Sequence, residues 1–139
     1  MEDDNSMILK ALNFAEKAYN PRDYFEAHVR KVWYNILIRG GSVLEQVVGI
    51  LHGVIEDTLI TELEIADEFG TEVAHYVYLM SRKPSENYFD YIRRLKGEPV
   101  CKNVKLEDLN CNYKSSIISG NESLSNRYAR AMLILMGYA

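Results

Sequence analysis

The chain has 139 residues, 47% hydrophobic and 26% charged, a size at which one compact domain has a core and a second would not. Its 20 acidic and 16 basic side chains leave a net charge of −4, which excludes attachment to nucleic acid or an anionic membrane by bulk charge. No run of about 18 apolar residues occurs, and the opening MEDDNSMILK carries acids where a secretory signal carries bases, so a cytoplasmic protein is expected.

From Met7 to Tyr19 the apolar residues Met7, Ile8, Ala11, Leu12, Phe14, Ala15 and Ala18 recur at spacings of three and four, which predicts an amphipathic helix ended by Asn20-Pro21-Arg22-Asp23. A second helix is predicted from Tyr24 or Phe25 to Ile38, stopped by Gly40-Gly41. Ser42 followed by Glu45 has capping-box spacing and opens a third helix over 42–55. Val43, Leu44, Val47, Val48, Ile50, Leu51, Val54 and Ile55 cover most of its circumference, so it should be the buried central helix. Thr61 and Glu64 form a second box before a helix through Phe69, and Gly70 separates this from a helix carrying Val73, Val77, Tyr78 and Met80. Further helices are predicted over Glu86–Lys96, Val100–Tyr113 and Ser123–Met136. Cys101 and Cys111 would share one of these, too far apart along its axis for a disulfide. No segment sustains period-two alternation, so the expected class is all-α, a multi-helix bundle around the central helix.

The end of the central helix places His52, Glu56 and Asp57 next to the core, and a carboxylate taken out of water needs a partner. A metal ion is one such partner, since imidazole and carboxylate one helical turn apart share a face; a solvated helix end with Thr58 is the other reading. His28 falls near the apolar face of the second helix and reads either as a packed histidine or as a ligand, whereas His75 has no companion beyond Glu72 and reads as structural. Between positions 82 and 105 seven bases (Arg82, Lys83, Arg93, Arg94, Lys96, Lys102, Lys105) face three acids, with Tyr88, Phe89 and Tyr91 interleaved. Such a patch suits an anion with a stackable base, such as a nucleotide, and suits equally a solvated face over core aromatics. Gly-rich phosphate loops, CxxC pairs, HExxH and GxSxG are absent, which leaves nucleophilic serine or cysteine catalysis without support.

The segment Leu51-His52-Gly53-Val54-Ile55-Glu56-Asp57-Thr58 resembles the His-Asp-x-x-Glu-Asp-Thr signature of HD-domain metallohydrolases of the alarmone, or (p)ppGpp, 3′-pyrophosphohydrolase type. Val104-Lys105-Leu106-Glu107-Asp108, with Asn112 four residues on, resembles the same family's Val-Lys-Leu-x-Asp-x-x-x-Asn motif. A first histidine, His28, precedes both, and Arg127-Tyr128-Ala129-Arg130-Ala131-Met132 looks like the closing helix of small HD proteins; the resemblance spans about residues 10–115. It implies a divalent metal, manganese first and iron or zinc next, on His28, His52 and Asp108, with Glu56 and Asp57 assisting water or the leaving group. It also implies a guanosine polyphosphate-like nucleotide held by Asn112, Lys105, Arg82, Lys83 and Tyr88. Family members carry a longer basic loop before the first histidine, where this chain offers Arg22. Gly53 stands where the signature has aspartate, so the resemblance implies a depleted ligand shell and impaired hydrolysis, with a catalytically silent nucleotide-binding or sensing protein as the alternative. No nucleic acid or membrane partner is expected, and a homo-oligomer is compatible with the sequence.

Overall fold

The structure is a computed structural model and describes residues 3–139. All regular structure among these residues is helical, in agreement with the all-α expectation. α1 (Asp4–Ala18) begins a turn before the apolar pattern because Asp3 caps it, its carboxylate accepting from the Ser6 amide at 2.8 Å. Ala11 and Ala15 are fully buried, small residues that bring α1 close onto the central helix.

The predicted second helix is two elements. Phe25–Val29 forms a π-helical turn, closed by the Arg30 amide on the Phe25 carbonyl, and α2 (Arg30–Ile38) continues from it. α3 (Val43–Leu51) has the predicted capping box: the Ser42 hydroxyl accepts from the Glu45 amide at 3.1 Å and the Glu45 carboxylate accepts from the Ser42 amide at 3.0 Å. Every residue from Gln46 to Leu51 is buried, so the central helix is where the sequence puts it. It ends at Leu51 rather than near 55. His52 and Gly53 form a turn, and α4 (Val54–Asp57) follows. The His52 Nδ1 hydrogen donates to the Gly49 carbonyl at 2.6 Å, an acceptor that an unbroken α-helix reserves for the amide four residues on.

α5 (Glu62–Phe69) opens with the Thr61–Glu64 box, and Gly70, at φ +94°, turns the chain into α6 (Thr71–Met80) with a backbone conformation that glycine adopts freely. α7 (Tyr88–Lys96) starts two residues later than predicted, because Asn87 caps the Phe89 and Asp90 amides while the Glu86 carboxylate is taken by Arg94. α8 (Pro99–Ile118) outruns its predicted end by five residues, carries both free cysteines and opens on Pro99, whose fixed φ suits a first turn. α9 (Glu122–Met136) closes the fold.

Two apolar clusters flank α3. The first joins α1, the π-helical turn, α5 and α6 through residues such as Ala15, Phe25, Ile65 and Val77; the second joins α2, α7, α8 and α9 through Ile36, Ile92, Leu109 and Leu135. α3 feeds both, Ile50 and Leu51 into the first and Val48 into the second. Each fully buried Leu, Ile or Phe contributes about 1.5–3 kcal/mol, so the two clusters fix the relative positions of the π-helical turn, the end of α3 and the middle of α8. None of the helices of residues 3–139 is long and apolar enough to cross a membrane.

Candidate metal centre

Those three places each deliver one polar side chain to the seam between the clusters. His28 comes from the π-helical turn, His52 from the end of α3 and Asp108 from α8, and all three are buried. One ligand atom from each lies within 4.8 Å of the other two. His28 Nε2 is 2.7 Å and His52 Nε2 3.4 Å from the same oxygen, Asp108 Oδ1. Because the Gly49 carbonyl can only accept, Nδ1 of His52 carries a proton and a neutral ring presents its Nε2 lone pair to the cluster. Two imidazole nitrogens and a carboxylate oxygen at one buried point form a donor set suited to a divalent transition metal, and the residues present therefore fit such an ion.

This corrects the expectation that Gly53 leaves the centre depleted. The His28, His52 and Asp108 triad is intact, and no member of it is replaced by glycine. The physical reason is that its side chains are placed by packing of three separate elements, so the bare backbone at Gly53 does not displace them.

The electrostatics of the centre are dominated by a fourth buried group. Lys105, one turn before Asp108 on α8, sets its ammonium 2.7 Å from Asp108 Oδ2. Burial alone would raise the Asp108 pKa, but the Lys105 ammonium and the imidazoles reverse this and hold the carboxyl well below the usual carboxylate range. Burial works against the Lys105 charge in the same way, and the Asp108 carboxylate outweighs it, keeping the lysine protonated. For His52, burial opposes protonation and the Asp108 carboxylate prevails, so its pKa is raised. Asn112, a turn beyond Asp108, donates to Oδ1 at 3.4 Å.

Two cavities approach the centre and share Asp57. One, of about 1040 Å³, is lined by Tyr19, Pro21, Tyr24, Leu59 and Ile60 among others; the second, of about 600 Å³, by Glu56, Arg82, Lys83, Tyr88, Tyr91 and Lys105. The Tyr24 ring stacks 5.0 Å from the His28 ring on the first side, and Lys105 covers Asp108 on the second. Glu56 is pinned by the backbone amide of Arg82, which its carboxylate accepts. The Lys83 ammonium is spent on the Tyr78 and Ser81 carbonyls at 3.1 and 2.8 Å. Arg22 does not line either cavity; it pairs with Glu26 at 2.9 Å and Glu16 at 3.5 Å. His75 is exposed on α6, apart from the triad.

The side chains that sequence reasoning missed are Tyr19, Tyr24 and Arg127. Arg127, from α9, lays its guanidinium 3.6 Å from the centroid of the Tyr88 ring, with Arg82 5.6 Å from the same ring. The Tyr88 hydroxyl is buried without a hydrogen-bond partner among the described residues. Burial raises its pKa while Lys105 and Arg127 pull the other way, so it is a proton donor surrounded by positive charge and lacking an acceptor. The motif Arg127–Met132 was visible in the sequence, but nothing in it indicates which helix it meets.

No protein-family model matches the chain, and no curated protein matches it in sequence. Solved structures do match. One, described as a metazoan orthologue of SpoT that hydrolyses ppGpp and plays a role in starvation responses, superposes with a TM-score of 0.76 at 17% identity, covering 95% of this chain and 86% of the other. The resemblance read from the motifs is thus a likeness of fold: the chain has the HD-type helical bundle, and its triad occupies that bundle as a cluster able to chelate a divalent metal.

Proposed function

We propose that the protein is a metal-dependent phosphohydrolase acting on nucleotides that carry a pyrophosphate, with guanosine polyphosphates of the ppGpp kind as the substrate class. The observation that carries this reading is the convergence of His28, His52 and Asp108 on one buried point near a cavity that holds three bases, Arg82, Lys83 and Lys105, with two acids. These three residues would hold the cation, manganese first and iron or zinc next. When bound, such an ion supplies stabilisation of charge on a phosphoryl oxygen and acidifies water.

The chain's own groups do the rest. Lys105 and Arg82 meet the phosphates, the Tyr88 hydroxyl donates to an anionic oxygen that ends its lack of a partner, and Arg127 adds charge behind its ring. Lys83, already bonded to backbone carbonyls, contributes charge at the edge. Asp57 and Glu56 are the acids available to take a proton from water or give one to the leaving group, Glu56 being fixed by the Arg82 amide. The Tyr24, Pro21 and Leu59 wall receives the planar part of the nucleotide, while Asn112, which lines neither cavity, steadies Asp108 from α8. Arg22, held by Glu16 and Glu26, has no role in this arrangement. A substrate of this kind suits a cytoplasmic protein.

The test is elemental analysis of protein purified without chelator, followed by ppGpp turnover with added manganese. Near-stoichiometric manganese, iron or zinc and multiple turnovers, both abolished in His52→Ala, are expected. Metal-free protein that neither binds added manganese nor turns over would sink the reading, and tight nucleotide binding without turnover would make the chain a binding protein.

A further inference from the structure

The donor set of the buried centre fits a divalent ion, and its net charge leaves room for one more acid nearby. His28 and His52 bind metals as neutral imidazoles, and the Asp108 carboxylate is matched by the Lys105 ammonium at 2.7 Å, so the four groups together carry no net negative charge for a dication. A carboxylate close to the centre would supply that charge. Glu56 and Asp57 are the acids on α4, and Glu56 is committed to the Arg82 amide. Asp57 is differently held. A Cβ built on Gly53 would lie 2.9 Å from Asp57 Oδ2 and 2.8 Å from the Tyr19 hydroxyl oxygen. The Asp57 carboxylate and the Tyr19 hydroxyl therefore fill the volume that any side chain at 53 would take, directly after the ligand His52. They meet there at 3.4 Å, with the hydroxyl donating. Burial first, and then the Asp57 carboxylate, raise the Tyr19 pKa, with Asp108 acting in the same sense, so Tyr19 stays a donor at any physiological pH and both carboxylates act on one hydroxyl. The Tyr24 hydroxyl, after burial, is likewise raised by Asp108 and then by Asp57.

We propose that Tyr19 is a positioning residue that holds the Asp57 carboxylate in the side-chain-free space at Gly53, making Asp57 the acid that balances a cation at the His28, His52 and Asp108 centre. Gly53 is in this account a requirement of the centre, because it is the gap through which Asp57 reaches back. The inference rests on the metal-dependent reading above.

Manganese titration calorimetry on the full chain and on Asp57→Asn, Tyr19→Phe, Gly53→Ala and the Tyr19→Phe/Asp57→Asn double variant tests it. Asp57→Asn should weaken manganese binding by about tenfold, the size expected for removing one nearby charge at the edge of a partly solvated site. Tyr19→Phe and Gly53→Ala should each weaken it several-fold, and Tyr19→Phe should add nothing in the Asp57→Asn background, since both act through one carboxylate. For ppGpp turnover, Tyr19→Phe and Gly53→Ala should lower kcat and leave KM within about twofold. Thermal melts establish that each variant is folded, and Gly53→Ala tests the same displacement without removing any polar group. Manganese binding by the unaltered chain together with unchanged affinity in Tyr19→Phe and Gly53→Ala overturns the inference alone, as do additive effects in the double variant. No manganese binding by the unaltered chain overturns both this inference and the function it rests on.

Discussion

The cavity beside Tyr24 is walled by rings and aliphatic groups, and three of its four charged residues, Asp23, Asp57 and Glu64, are acids; the cavity beside Tyr88 has Arg82, Lys83 and Lys105 against Glu56 and Asp57. The two share Asp57. A ligand with a planar uncharged part and a phosphorylated end can lie across this boundary in one direction only, because reversing it would bring phosphates against acids. Under the proposed function, polarity between two cavities, rather than any one contact, would orient a nucleotide towards the centre.

The boundary itself is the most sensitive point. Asp108→Asn removes the counter-charge of a buried lysine at the edge of the basic cavity, so it should cost about 3 kcal/mol in the ligand-free protein as well as abolishing metal retention; a denaturant midpoint close to that of the unaltered chain would show that Lys105 finds water or another partner. On the basic side, Tyr88→Phe separates stability from binding. Deleting a buried hydroxyl that lacks a partner should raise the free energy of unfolding by about 1 kcal/mol while raising KM for ppGpp several-fold. If the stability falls and KM is unchanged, the hydroxyl has a partner in the free protein and is not waiting for a ligand.

On the aromatic side, Tyr24→Leu keeps apolar bulk and loses the stack on His28. It should weaken nucleotide binding by about 1 kcal/mol with little change for inorganic pyrophosphate, and equal losses for both ligands would erase the division of labour between the cavities. The smallest effect concerns the support of the basic side. Arg94 clasps the Glu86 carboxylate at 2.6 and 3.0 Å and also donates to the Leu79 and Ser81 carbonyls, fixing the α6–α7 connection that carries Arg82 and Lys83. The Arg94 guanidinium holds the Glu86 carboxyl below the usual carboxylate range. A depressed folded pKa means that the stabilisation is complete above the unfolded value of about 4.3 and is lost as pH falls through the folded value. Glu86→Gln should therefore melt a few degrees lower at pH 7 and approach the unaltered chain as the pH drops below about 4; a gap that persists in acid would mean packing rather than charge.

Much of the bundle was legible because its local signals agree with its packing. Ser42 with Glu45 and Thr61 with Glu64 form capping boxes where their spacing says they should, and the apolar circumference of Val43–Leu51 marks the helix that both clusters share. The two motifs and the histidine before them mark His28, His52 and Asp108 as a set, and the structure brings the three together. The rest depends on information that pattern does not carry. Phe25, His28, Val29 and Val32 are spaced three and four apart whether the turn they occupy is α or π. The break after Leu51 follows from a side-chain bond of His52 to a backbone carbonyl, which competes with helix formation only once the ring is packed. Gly53 was read as a loss because a motif counts side chains present and cannot show that another residue fills the space. Arg22 pairs with acids one turn either side of its loop, and Arg127 reaches Tyr88 only through the docking of α9 on α7.

The double allegiance of α3 has a consequence for how the molecule opens. A helix whose faces are covered by two different clusters stays covered when either one loosens, so its amides should exchange with solvent only when the whole chain unfolds. Hydrogen exchange should accordingly find Gln46–Leu51 among the slowest amides, with α1 and α9 opening earlier. His52 stands at the end of that helix, so it is the member of the triad expected to keep its place when either cluster loosens.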